Sequence, residues 1–176
     1  MRVFLFCIFT QEIYTMAIKK KIGFDIIIYD SFEELEESDR RLLERSVAAR
    51  NNAYAPYSNF QVGAALELEN GEIVTGNNQE NASYPSGLCA ERVAVFYAGA
   101  KFPNMAIKSL AISVISKNNE VLEPAAPCGN CRQSLFEYEY RQKSPIRILM
   151  MGAKGKVVEC SSVADILPLG FDNTYL

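Results

Sequence analysis

Cys89, Ala90 and Glu91 place a thiol and a carboxylate two residues apart at the head of an apolar run, and Pro127, Cys128, Gly129, Asn130 and Cys131 supply two further thiols. Three thiolates can fill three of the four tetrahedral positions of a zinc ion. The fourth is then left to water, as at a catalytic zinc, whereas a structural zinc closes it with another protein ligand. The chain has no histidine, so a soft-ligand metal site must be built mainly from thiolate, and thiolate favours zinc, copper(I) or iron and sulfur over magnesium or calcium. Glu91 need not be a ligand. A carboxylate beside a metal-bound water can take its proton and hand it to a substrate.

Both cysteine segments have to be held by helix starts. Cys89 to about Lys101 reads as a helix with Val93, Val95, Phe96 and Ala100 buried and Cys89 in its first turn, where a thiolate is electrostatically favoured. Pro127 starts another through Leu135 and Phe136 to about Tyr140. Upstream, residues 22–29 are β-branched and aromatic enough for a strand. Ser31 and Glu34 form a capping-box pattern, so a helix is expected there or at Ser38. Leu42, Leu43, Val47, Ala48 and Ala53 keep helical spacing, and Pro56 is expected to end that helix. Phe60 to Leu68 and Glu72 to Gly76 flank Asn70-Gly71 as a hairpin. Lys108 to Ser116, Ile146 to Met151 and Lys156 to Cys160 read as strands, and Ser162 to Leu167 as a short final helix. Strands alternating with helices after a hairpin imply an α/β fold, a three-layer α/β/α sandwich on a mixed sheet.

A chain of 176 residues with 49% apolar and 22% charged residues fits one domain with a continuous core. The net charge of -3 offers no basic track for a nucleic-acid backbone and favours a free small-molecule substrate. Five cysteines, two in a Cys-x-x-Cys pair, argue against a disulfide framework and for a reducing compartment. Met1 to Phe9 looks superficially like a signal peptide. It is too short to span a bilayer, and Thr15-Met16-Ala17 is a weak cleavage site, so the protein is expected in the cytoplasm with no membrane partner. Lys19 to Lys21 reads as solvated surface.

Zinc deaminases of nucleobases pair a Cys or His ligand with a nearby non-ligand Glu and a Pro-Cys-x-x-Cys turn. On those motifs the chain resembles the small homotetrameric zinc-dependent cytidine deaminases of the cytidine and deoxycytidylate deaminase superfamily. Tyr54-Ala55-Pro56-Tyr57-Ser58-x-Phe60 and Asn78-x-Glu80-Asn81-Ala82-x-Tyr84 belong to the same resemblance, which covers roughly residues 44–171. It implies a five-stranded sheet, a catalytic domain over 31–176 and an N-terminal extension over 1–30. Residues 1–15 match nothing in the family pattern, so the start is either Met1 or, if 1–15 are upstream sequence, Met16. The resemblance further implies one zinc per subunit on Cys89, Cys128 and Cys131. Glu91 would deprotonate the water that attacks C4 of a cytosine nucleoside, then protonate N3 and the departing amine. Phe60 and the amide of Ala90 would contact the base, Asn78 and Glu80 the sugar hydroxyls, and Tyr84 would line the substrate site. Phe171 would enter from a neighbouring subunit, and Arg92 would donate to the ligand thiolates. The reaction would convert cytidine and deoxycytidine to uridine and deoxyuridine plus ammonia, in pyrimidine salvage.

Without the resemblance, plainer readings stand beside these. Residues 77–83 are a solvated loop by composition, residues 54–58 a helix-ending turn, Arg92 a surface charge, and Phe60 and Phe171 core. Cys7 and Cys160 read as small hydrophobes. Were either a fourth ligand, the zinc would be structural. A deaminase of another cytosine compound, such as blasticidin, shares the same motifs. An enzyme of RNA or DNA should show a basic track. Asn130 departs from a position often smaller in relatives.

Overall fold

The computed structural model describes residues 17–176. The signal-like run, Cys7 and the start at Met16 lie outside the described residues.

Six strands form one sheet: β1 (Ile26–Tyr29), β2 (Phe60–Leu68), β3 (Ile73–Asn77), β4 (Ile107–Ser116), β5 (Arg147–Met151) and β6 (Val157–Cys160), in the order β1-β6-β5-β4-β2-β3. β4 and β5 pair in parallel and the remaining neighbours antiparallel. The sheet is mixed, as expected, but has six strands rather than five. The additional one is β1, whose residues pair with β6 from Ile26 opposite Cys160 to Tyr29 opposite Val157.

Four helices cover the sheet: α1 (Glu37–Arg50), α2 (Ala90–Lys101), α3 (Gly129–Gln142) and α4 (Val163–Ile166). The period of two along the strands sorts their side chains between two cores. Ala64, Leu66, Leu110, Ile112, Ile148 and Met150 face α2, α3 and α4. Ala65, Ala111, Leu149, Met151 and Val157 face Leu42 and Leu43 of α1. The result is the three-layer α/β/α sandwich.

Local details differ from the sequence reading. Ser31 caps only a 3₁₀ turn at Phe32–Glu34, without a side-chain hydrogen bond, and the carboxylate of Glu34 instead accepts from the amide of Asp30 at 3.2 Å. α1 stops at Arg50, before Pro56, and Asn51 and Asn52 form the turn. Its buried face is Leu42, Leu43, Ser46, Ala49 and Arg50, while Ala48 is exposed. In α2 the buried residues are Ala90, Glu91, Ala94, Val95 and Ala98. Phe96 and Ala100 are exposed, contrary to the sequence reading. The reason is close approach. A Cβ on Gly76 of β3 would stand 2.5 Å from the carbonyl oxygen of Ala90 and 2.6 Å from the amide nitrogen of Ala94, so α2 meets β3 through Ala90 and Ala94, and Phe96 turns outward.

Two polar anchors complete the frame. The guanidinium of Arg50, only 6% exposed, donates to the carbonyls of Val114 at 3.1 Å and Gly152 at 3.2 Å. The buried carboxylate of Glu139 accepts from the amides of Ile146 at 2.7 Å, Val163 at 2.8 Å and Ala164 at 3.0 Å, and from the Ser162 hydroxyl at 2.6 Å. It thereby seats the start of α4 against α3.

Candidate metal centre and active site

Cys89 and Cys128 are the N-cap residues of α2 and α3, both in extended backbone, and Cys131 lies in the first turn of α3. Helix N-termini present unpaired N–H groups and positive dipole ends, which suit thiolates. The two helices lie on the same face of the sheet, so their N-termini bring the sulfurs together. Cys89 Sγ and Cys128 Sγ are 3.9 Å apart, and all three Sγ atoms lie within 4.8 Å of one another. Zn–S bonds of about 2.3 Å in tetrahedral geometry hold sulfurs roughly 3.8 Å apart, so the donor set fits zinc. Arg132 ties the second cysteine turn down, with Nε donating to the Pro127 carbonyl at 2.7 Å and Nη1 to that of Ile166 at 2.9 Å.

The electrostatics have the same origin. The Cys131 thiol donating to Cys89 is the largest influence holding Cys89 down to about 5; burial opposes it, and Arg92 and Cys128 assist. Cys131 is pushed far up by that same pairing with the Cys89 thiolate, then by burial and by Glu91. Ionisation of Cys89 thus opposes that of Cys131, and a divalent cation removes that conflict. Arg92 Nη2 donates to Cys89 Sγ at 3.8 Å, and this contact raises the affinity of its guanidinium for its proton.

Glu91, in the first turn of α2, is 4% exposed. Burial pushes its carboxyl up, with the Cys89 charge adding to the effect. Its Oε2 is buried without a hydrogen-bond partner among the described residues. A buried carboxylate oxygen left unpaired is costly, which marks it as one that a ligand, water or proton is meant to meet.

A cavity of about 720 Å³ reaches Cys89, Cys128 and Glu91. Phe60, Val62, Ile112 and Val114 give it an apolar wall, and Asn78, Glu80 and Tyr84 a polar one. Such a combination of apolar lining with a few placed polar groups is typical of small-molecule sites. Asn78 is buried, and its amide serves β2: Oδ1 accepts from the Val62 amide at 2.8 Å and Nδ2 donates to the Phe60 carbonyl at 2.9 Å. Glu80 accepts from the amides of Tyr57 at 2.9 Å and Ser58 at 3.3 Å and from the Ser58 hydroxyl. Burial works to raise its carboxyl, but those donors outweigh it and hold the group below the usual range. Tyr84 is 76% exposed, at the rim, with its ring 6.2 Å from that of Tyr57.

Ala90 and Phe171 are not among the residues that line this cavity. Ala90 is fully buried and its side chain belongs to the core. Phe171 is 55% exposed, stacks on Tyr175 at 5.4 Å and does not line the cavity of its own chain. Cys160 sits in the core in β6 and is not part of the sulfur group. Ser58 enters the sequence reading only within the Tyr54 to Phe60 motif, with no role of its own, and Arg132 and the β4 wall of Ile112 and Val114 have no site role in it. Nothing in their spacing announces a site; they are brought to it by the sheet and its loops.

The sequence model for the cytidine and deoxycytidylate deaminase zinc-binding region matches residues 36–144. The chain belongs to this family. It is 37% identical over 134 residues to the cytidine deaminase of Halalkalibacterium halodurans, covering 76% of this chain and 94% of that one. It is likewise 37% identical to the Sporosarcina psychrophila cytidine deaminase, covering 74% and 89%. Among solved structures, the cytidine deaminase of Burkholderia pseudomallei superimposes with a TM-score of 0.65 at 40% identity, over 74% of this chain and 97% of that one. That of Mycobacterium tuberculosis gives 0.60 at 28% identity, over 78% and 99%. Membership accounts for the fold and for the zinc-compatible thiols.

Proposed function

We propose that this protein catalyses the hydrolytic deamination of cytidine and deoxycytidine to uridine and deoxyuridine with release of ammonia. The observation that carries this reading is the unpartnered, buried Glu91 carboxylate beside three clustered sulfurs at a cavity of about 720 Å³, a size suited to a nucleoside.

Cys89, Cys128 and Cys131 hold one zinc per subunit, which when bound supplies a Lewis acid that acidifies water. Three thiolates carry more formal charge than the metal and weaken that effect. Arg92 and the two helix N-termini draw charge from them. Glu91 takes a proton from the attacking water, delivers it to N3 of the pyrimidine, and passes the next to the departing amine at C4. A carboxyl raised by burial suits a group that must both accept and donate near neutral pH. Phe60 packs on the base and the Ala90 amide contacts it. Asn78 and Glu80 meet the sugar hydroxyls; each retains acceptor capacity beyond its bonds within the protein. Tyr84 closes the rim.

Phe171 serves the cavity of a neighbouring subunit in a homotetramer, a reading in keeping with its exposure and its distance from its own cavity wall. The catalytic unit spans 31–176. The role is pyrimidine salvage in the cytoplasm, where thiolate ligands stay reduced.

The test is ammonia release by purified protein with cytidine, deoxycytidine, cytosine, CMP and blasticidin, beside Glu91→Ala, with bound zinc quantified. Turnover of the two nucleosides alone, lost in Glu91→Ala with zinc retained, is the expected result. Normal turnover in that variant, or none with either nucleoside in the parent protein, would end the assignment.

A further inference from the structure

Ser58 lies in the exposed loop that leads into β2, and its hydroxyl joins two parts of the cavity wall. Its Oγ accepts from the amide of Phe60 at 3.0 Å. Its own proton is therefore available to another acceptor, and Glu80 Oε1 receives it. The other carboxylate oxygen, Oε2, is held by the amides of Tyr57 at 2.9 Å and Ser58 at 3.3 Å. A carboxylate offers about four lone-pair sites, so these three donors leave one acceptor site, on Oε1. The Glu80 amide in turn donates to the Tyr54 carbonyl at 2.8 Å. The loop before β2 and the loop after β3 are clasped by this side chain together with the backbone bonds of Tyr54.

We infer that Ser58 is a positioning residue for sugar recognition: its hydroxyl fixes the Glu80 carboxylate so that the single open site on Oε1 meets a hydroxyl of the nucleoside, and couples that contact to Phe60 on the base side. The inference rests on the reading of Glu80 as a sugar contact. Without the Ser58 hydroxyl, Oε1 has two open sites that water fills, and the carboxylate is no longer fixed at both oxygens. A hydroxyl held by a preset carboxylate then loses its advantage over bulk water. Because Ser58 is exposed, its truncation leaves the core packing intact.

The experiment compares wild type, Ser58→Ala and Ser58→Thr on cytidine and on its 2′-, 3′- and 5′-deoxy analogues, with uridine binding followed by calorimetry. Ser58→Ala is expected to raise KM for cytidine and weaken uridine binding about ten-fold, as loss of one hydrogen bond to a charged group does, while kcat stays within about two-fold. Ser58→Thr restores both. The penalty disappears for the analogue that lacks the hydroxyl Glu80 accepts, because there is no contact left to weaken. An unchanged KM, or an equal loss on all four substrates with a falling kcat, overturns the inference and leaves only loop support. A wild-type protein that neither turns over these nucleosides nor binds uridine overturns the functional reading together with it.

Discussion

Replacing Gly76 by Ala tests whether backbone packing sets the active site. The new Cβ would lie 2.5 Å from the carbonyl oxygen of Ala90 and 2.6 Å from the amide nitrogen of Ala94, about 1 Å inside ordinary van der Waals separation. Both atoms are backbone, so no change of rotamer makes room, and α2 or β3 has to move by roughly that amount. Ala90 stands between Cys89 and Glu91, so the displacement falls on the proposed metal ligand and the proposed proton carrier. Overpacking of this kind costs about 1–3 kcal/mol. At roughly 2–4 °C per kcal/mol for a chain of this size, about 2 kcal/mol lowers Tm by about 4–8 °C. A misplacement of about 1 Å costs on the order of 10²-fold in turnover. Calorimetry, zinc content and kcat/KM with cytidine measure the three effects. Gly129→Ala is the comparison: nothing lies within 4 Å of its added Cβ, at the first position of α3. It should keep its zinc and gain about 0.4–1 kcal/mol through the unfolded state. Wild-type Tm and turnover in Gly76→Ala would refute the claim that this contact fixes α2.

Other perturbations follow from the same geometry. Cys131→Ser should lose zinc in metal analysis and with it all measurable ammonia release, because only two thiolates of the cluster remain. Arg92→Gln removes the donor to Cys89 Sγ and should move the pH profile of kcat to higher pH; an unmoved profile would leave Arg92 as mere surface charge. Glu67 is held below the usual carboxylate range first by Lys108, which donates at 2.8 Å. A lowered carboxyl gives stability that is present above its unfolded pKa and fades as pH falls through the folded one. Lys108→Met should therefore destabilise near neutral pH, by less than about 1 kcal/mol for so exposed a pair, and have no effect in acid, as urea titrations at two pH values would reveal. Glu139→Gln leaves at least one of its four donors, two of them buried, without an acceptor. It should cost about 2–4 kcal/mol in urea unfolding while the folded enzyme keeps its kcat.

What the sequence determined is what short-range chemistry writes locally. The absence of histidine and the presence of Cys89, Cys128 and Cys131 limited the metal. Glu91 beside Cys89 supplied the candidate proton carrier, and the strand alternation set out the two faces of the sheet. Proline and polar punctuation placed most helix starts, though not the end of α1, where Asn51 and Asn52 act before Pro56. What tertiary structure decided are the distances between segments far apart in the chain. The three sulfurs meet because α2 and α3 pack on one face of the sheet. Phe96 faces outward because Gly76 draws the small residues of α2 inward. β1 joins the sheet because β6 leaves it an antiparallel edge. Ser58 reaches Glu80 because two loops end beside one another, and Phe171 stands away from the cavity of its own chain. Spacing along the chain fixes which side chains share a helix face or a strand face. Separations across the sheet follow from how volumes fill a common core, and no local pattern encodes them.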